Sequence, residues 1–347
     1  MWCSCLRDDV WRDRLGEASP FVDLDTAHMR PTPFALAILL VVLPAVPRAA
    51  LAQRRPVALP ALPALPLGKQ IVLADDGHPL ALWWKSPARS HGAIVLVHGR
   101  TWSSLPNFDL HVTGQHLSLM DALAARGFAV YALDLRGYGA TPRDSSGWLT
   151  PDRADRDVVS VLDAVRTQRR AAGDTLAPAL LGYSRGSMVA MLAAQRHPEK
   201  LSGLILYGFP VDVQGTPPAA VPSPTVPPRR RTTAAGAAED FLTPVRTPAG
   251  AKDAYVRAAV LSDSIRVDWR SEEQYAALDP SALQTPMLLL DGERDPYASA
   301  ANHGGFFARV ATPDRWWVVL EGVDHVAHIE HQRAFVNAVV SFIERAR

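Results

Sequence analysis

The sequence predicts an α/β protein: a mostly parallel sheet with helices on both faces and an inserted cap. Three observations point there. Continuous apolar runs such as Ala93-Ile94-Val95-Leu96-Val97 recur along the chain, as strands covered on both faces require. Helical stretches separate them, the alternation typical of a parallel sheet. In the middle, Gly182-Tyr183-Ser184-Arg185-Gly186 joins the apolar run Ala179-Leu180-Leu181 to the helical Ser187-Met188-Val189-Ala190-Met191-Leu192. Glycines at both ends of so tight a turn let the chain pass close to its neighbours and present an exposed serine hydroxyl at a helix N-terminus.

The elements follow in order. Met29-Arg30 precedes an apolar stretch from Phe34 to Leu43, and Ala50-Leu51-Ala52 offers a small-residue cleavage site. A positive residue, a short apolar core and an A-x-A site form a secretory signal peptide. Residues 1–52 are therefore read as an N-terminal extension and signal, cleaved near Ala52, with export to the periplasm or medium. The core is too short for a membrane span of about 20 residues, so no stable membrane anchor is expected. Asp8, Asp9, Asp13, Glu17, Asp23 and Asp25 make an ill-suited leader, which places the translation start at Met29. Both cysteines, Cys3 and Cys5, precede that start, leaving no thiol chemistry in the exported chain.

Residues 53–68 carry prolines 56, 60, 63 and 66 and form an extended linker. From residue 69 to 347 a single α/β domain is expected. Lys69–Ala74 and Leu80–Lys85 flank Asp75-Asp76-Gly77 as a hairpin. Strands follow at Ala93–Val97, Phe128–Asp134, Ala177–Tyr183, Leu201–Tyr207, Pro286–Asp291 and Arg315–Leu320. Helices are expected at Leu117–Arg126, Asp152–Arg170 and Arg333–Arg345, the last with Phe335, Val339, Phe342 and Ile343 on one face. Between about 210 and 285 the alternation stops. Prolines 217, 218, 222, 224, 227 and 228 and the solvated triplet Arg229-Arg230-Arg231 precede short helices at Lys252–Ser262 and Ser271–Leu278, which reads as a cap.

A formal net charge of +1 gives no ground for a nucleic-acid partner. No dinucleotide or phosphate loop is present, and no cofactor is expected. His111 and His116 are read as polar surface and no metal site is expected. The chemistry rests on Ser184, which needs a base and an acid to orient that base. On this architecture the order is Ser, Asp, His. Asp295 follows the Leu288-Leu289-Leu290 strand, and His325 follows the Trp317–Leu320 strand, both at C-terminal strand ends. Asp291 is assigned to the strand end and Glu293 to a neighbouring salt bridge. His328 and His331 are read as exposed. The expected oxyanion donors are the backbone N–H groups of Arg185 and of Arg100, in the His98-Gly99-Arg100 loop. His98 is read as a structural hydrogen-bonder. Trp102 and Tyr183 are the candidate pocket residues.

These pieces resemble the α/β-hydrolase superfamily, in the capped branch that includes esterases and proline iminopeptidase-like and serine aminopeptidase-like members. The likeness is carried by Val97-His98-Gly99, Asp134-Leu135-Arg136-Gly137-Tyr138-Gly139, the serine turn, Gly292-Glu293-Arg294-Asp295 and Gly322-Val323-Asp324-His325. It implies Ser184, Asp295 and His325 as a triad and Arg136-Gly137 as a structural turn near it. The expected function is serine hydrolysis of a small-molecule carboxylic ester. An aminopeptidase or amidase of the same fold is the alternative, although the cap shows no obvious acidic cluster for a free amine. A non-catalytic secreted binding protein is the alternative of another class. Dehalogenases and epoxide hydrolases need aspartate where Ser184 stands.

Overall fold

A computed structural model describes residues 65–210, 224–242 and 246–345, all within one compact unit. The export signal, the Met29 start, the Ala52 cleavage, residues 53–64 of the linker and part of the proline-rich insertion lie outside the described residues.

Ten strands are present among the described residues: β1 (Gly68–Leu73), β2 (Pro79–Lys85), β3 (Ala93–Val97), β4 (Ala129–Leu133), β5 (Trp148–Leu149), β6 (Ala179–Tyr183), β7 (Gly203–Tyr207), β8 (Asp268–Trp269), β9 (Met287–Gly292) and β10 (Arg315–Leu320). Eight form one sheet in the order β1-β2-β4-β3-β6-β7-β9-β10. Strand β2 runs antiparallel to β1 and β4; every other pairing in the sheet is parallel. Every residue of β3, β4, β6, β7 and β9 is buried, which explains why these strands are apolar without alternation.

One face is covered by helices Pro151–Ala171 and Arg185–Arg196, which set Val158, Val161, Val189 and Leu192 against Val95, Leu180 and Leu204. The other is covered by Leu119–Ala124 and Gln332–Glu344, with Met120, Phe335, Val339 and Phe342 against Ile94, Leu181 and Ile205. The helix Leu119–Ala124 starts at Leu119 rather than Leu117 because Ser118 caps it, its hydroxyl accepting the Asp121 N–H at 3.0 Å. The insertion contributes helices Ala234–Ala238 and Ala251–Ser262, a short helical turn Glu272–Ala277 and strand β8, which pairs with β5 outside the main sheet. Its exposed arginine triplet begins at Arg229 and faces solvent. Among the described residues no helix is long and apolar enough to cross a membrane.

Arg136, expected at a structural turn, is 3% exposed and fixes the turn after β4. It donates to both carboxylate oxygens of Asp157, at 2.7 and 2.9 Å, and to Asp76 at 2.6 Å, joining helix 151–171 to the β1–β2 hairpin. Asp157 is fully buried, and Arg153 at 3.3 Å is its second cation. Replacing Arg136 with Met is therefore expected to lower the unfolding free energy by about 3 kcal/mol, the low end for breaking a buried pair, because Arg153 remains. Urea denaturation of the two proteins measures it.

Candidate active site

Because β3, β6, β7, β9 and β10 are parallel neighbours, their C-terminal ends share one sheet edge. Ser184 leaves β6 with φ 52 and ψ −123, a conformation costing on the order of 1–3 kcal/mol for a non-glycine residue. The surroundings hold it there. Its N–H donates to Tyr207 O at 2.8 Å, and its carbonyl accepts from Ser187 N at 2.9 Å and from the Ser187 hydroxyl. Both flanking glycines are obligatory by contact: a β-carbon on Gly182 would lie 2.4 Å from Gly186 O, and one on Gly186 would lie 2.3 Å from His98 O. The twelve-residue helix Arg185–Arg196 starts at the serine, so its unsatisfied N-terminal N–H groups and positive dipole end face the hydroxyl.

The loop after β3 brings Gly99 against the serine, its Cβ direction reaching Ser184 Cβ at 3.3 Å. The next residue is Arg100. His98 is fully buried; its Nδ1 donates to Gly99 O at 2.8 Å and its Nε2 accepts the Leu135 N–H at 3.1 Å. Burial lowers its pKa, consistent with a neutral ring.

Asp295 and His325 are brought together. His325 Nδ1 lies 2.7 Å from Asp295 Oδ2, and Asp295 Oδ1 accepts the Tyr297 N–H at 2.9 Å. With Nδ1 carrying the proton toward the carboxylate, the lone pair of the imidazole sits on Nε2. Gly208, at φ 55 just past β7, leaves room for the pair: a β-carbon there would lie 3.0 Å from the His325 ring and 3.2 Å from Asp295 Oδ2. Since Ser184 N is bonded to Tyr207 O, one residue links the serine turn to the aspartate–histidine pair.

Burial alone would push the His325 pKa down; the charge and hydrogen bond of Asp295, with the charges of Asp240 and Asp324, outweigh it and raise the value above 6.5. The imidazolium–carboxylate pair thus adds stability that is complete below 6.5 and lost as pH rises through the folded value. For His325 to act as a base it must be neutral, so the sign for activity is opposite. The acid limb of the kcat/KM profile should lie above pH 6.5, as a pH series on any turned-over ester would reveal.

Two expectations are corrected and a third is extended. His328 is not surface but fully buried: its Nε2 donates to Asn107 O at 2.8 Å, and its Nδ1 lies 3.0 Å from the Tyr207 hydroxyl. Burial lowers its pKa to about 4, so it stays neutral. The same Tyr207 hydroxyl donates to His325 O at 2.6 Å, so this network holds the histidine loop. Glu293 makes no salt bridge among the described residues; it accepts the Gly322 N–H at 2.7 Å. Asp291 does more than end β9: it accepts from Trp317 Nε1 at 2.9 Å and pairs with buried His303 at 2.7 Å, whose Nε2 lies 2.7 Å from Phe209 O.

The cap also supplies an acid that the sequence pattern did not reveal. Asp240 accepts from the Tyr255 hydroxyl at 2.8 Å, and its charge acts on His325 and Tyr183. Tyr183 is buried, its ring 4.9 Å from His325 and stacked on Tyr207 at 4.8 Å. Trp102 is buried among Leu110, Phe241 and Tyr255, where the β3 loop meets the cap helices. The ligand atoms of Asp109, His111 and Asp121 lie within 4.8 Å of one another, and the Lys85 ammonium is the cation that holds the carboxylates, 2.6 Å from Asp109 and 2.8 Å from Asp121.

The sheet order and the serine turn together define an α/β hydrolase. The chain belongs to the family described as serine aminopeptidase, S33, whose profile matches residues 88–332. It is similar to Protein ABHD14A of Danio rerio, 23% identical over 73% of this chain and 64% of that protein, so it spans less than two thirds of that relative's length. It is also 25% identical to the sn-1-specific diacylglycerol lipase ABHD11 of Xenopus laevis, over 73% of this chain and 80% of that one. In fold it resembles the crystal structure of a hydrolase from Pseudomonas aeruginosa PA01, with a TM-score of 0.57 and 21% identity, covering 80% of this chain and 98% of that chain.

Proposed function

We propose that this hydrolase cleaves carboxylic esters through an acyl-enzyme on Ser184. The observation that carries the reading is the 2.7 Å His325–Asp295 contact, which in the neutral ring puts the lone pair on Nε2, with Tyr183 of the strained serine turn 4.9 Å from that ring. His325 takes the Ser184 proton as Oγ attacks the carbonyl, and Asp295 fixes the tautomer and stabilises the imidazolium. The amides of Arg185 and Arg100 receive the oxyanion. His325 then protonates the departing alcohol, and water repeats the sequence on the acyl-enzyme. Asp240 favours a second reading, in which the cap acid binds the free amine of an aminoacyl substrate. A panel of nitrophenyl esters and aminoacyl anilides separates the two: ester turnover without anilide turnover supports the esterase, and the reverse supports the aminopeptidase. Turnover of neither class at any chain length would favour the binding-protein alternative. Export is part of the proposal, with mature protein starting at Gln53.

A further inference from the structure

The two residues whose amides are proposed to hold the oxyanion also converge through their side chains. Arg100 donates in a fork to Glu272 of the cap, Nη2 to Oε1 at 2.8 Å and Nη1 to Oε2 at 3.2 Å. Arg185 donates to Oε2 of the same carboxylate, with its guanidinium 5.4 Å from the Tyr275 ring centre. Two guanidiniums therefore share one carboxylate. A third like charge, Arg266, acts on Arg100 and forms no ion pair among the described residues. Arg100 Nε is buried with no acceptor among them, an orphan donor of a kind that folded proteins rarely leave. The group is not sealed: the Arg100 and Glu272 side chains are each 34% exposed and Arg185 is 20% exposed.

A latch between cap and sheet needs one cation for its one carboxylate. Here the positive charge is in excess, next to the nucleophile and open to solvent. Planar forks of this kind match carboxylates, and Glu272 already displays the geometry of one bound there. We propose that Arg100 and Arg185 form a carboxylate subsite, so that the preferred substrate is a half-ester whose acyl portion carries a second, ionised carboxyl group. The inference rests on the reading of Ser184 as nucleophile. The proposed oxyanion amides belong to the same two residues whose side chains meet on Glu272, so the acyl portion of the substrate is within reach of those guanidiniums. The substrate carboxylate shares the pair with Glu272 or displaces it, and the short helical turn that bears Glu272 lies outside the main sheet.

The test compares kcat/KM for 4-nitrophenyl hemiglutarate with that for its neutral methyl ester. The wild-type protein should prefer the charged ester by about 10- to 100-fold, the range of a charge-assisted hydrogen bond. Arg185→Met should bring the ratio toward one, and Glu272→Gln, which removes the competing carboxylate, should raise it. A wild-type ratio near one overturns the proposal. So does a Glu272→Gln protein that is slower on both esters with an unchanged ratio, the result of a purely structural latch. If Ser184 is not the nucleophile, the neutral ester fails as well. Calorimetric binding of glutarate to the full chain then decides the subsite: binding weakened by Arg185→Met supports it, while no binding, or inorganic phosphate binding as tightly, overturns it.

Discussion

Ser184→Ala is expected to lower kcat/KM for any turned-over ester by about five to six orders of magnitude, the scale of losing a nucleophile from an intact triad. The fold should survive. The backbone bonds that hold the turn, Ser184 N to Tyr207 O and Ser187 N to Ser184 O, do not involve the removed oxygen. Alanine at φ 52 carries strain similar to that of serine, so thermal unfolding should shift by no more than the equivalent of about 1 kcal/mol. Loss of activity with loss of fold would instead mark Ser184 as structural. Full activity would remove it from the chemistry.

Asp295→Asn is expected to cost about 10⁴-fold in kcat with the geometry largely kept. An asparagine oxygen can still accept the Tyr297 N–H, but its amide then donates to His325 Nδ1. That forces the proton onto Nε2, the nitrogen that must be bare to take the serine proton. The substitution also removes the largest influence raising the His325 pKa, so the residual activity should show its acid limb at lower pH. Asp291→Asn is the informative control. That carboxylate pairs with His303 and Trp317, so its loss should reduce stability while leaving the acid limb in place. If Asp291→Asn moved the limb and Asp295→Asn did not, the acid would be misassigned.

The sheet was legible because its central strands are buried on both faces and leave unbroken apolar runs, as in β3 and β6. The serine turn was legible because its two glycines answer to backbone contacts under 2.5 Å that no other residue can accept. That Asp295 and His325 meet was readable from their places just past strand ends. What escaped was long-range or weakly patterned. Tyr207 and His325 are 118 residues apart in sequence, and nothing local marks their bond. His328 looked like helix-start surface, although its burial depends on Asn107 at the far side of the sequence. Helix Ala300–Arg309 contains a Gly-Gly pair that weakens its helical signature, and it is started by Ser299 capping Asn302. In the insertion, nothing local marks the long-range partners of Asp240 or Glu272, although Glu272 lies in a stretch read as a short helix. Their partners appear only in the fold, where Glu272 meets Arg100 and Arg185 and Asp240 meets Tyr255.

The central claim is that Ser184 is an activated nucleophile. Treating the full chain with a fluorophosphonate and mapping the adduct by peptide mass spectrometry tests it most directly. The account predicts one adduct, on the peptide bearing Ser184, formed faster as pH rises through the His325 pKa and absent from the His325→Ala protein at matched time. An unlabelled native protein, or labelling at another residue that persists in Ser184→Ala, would contradict it.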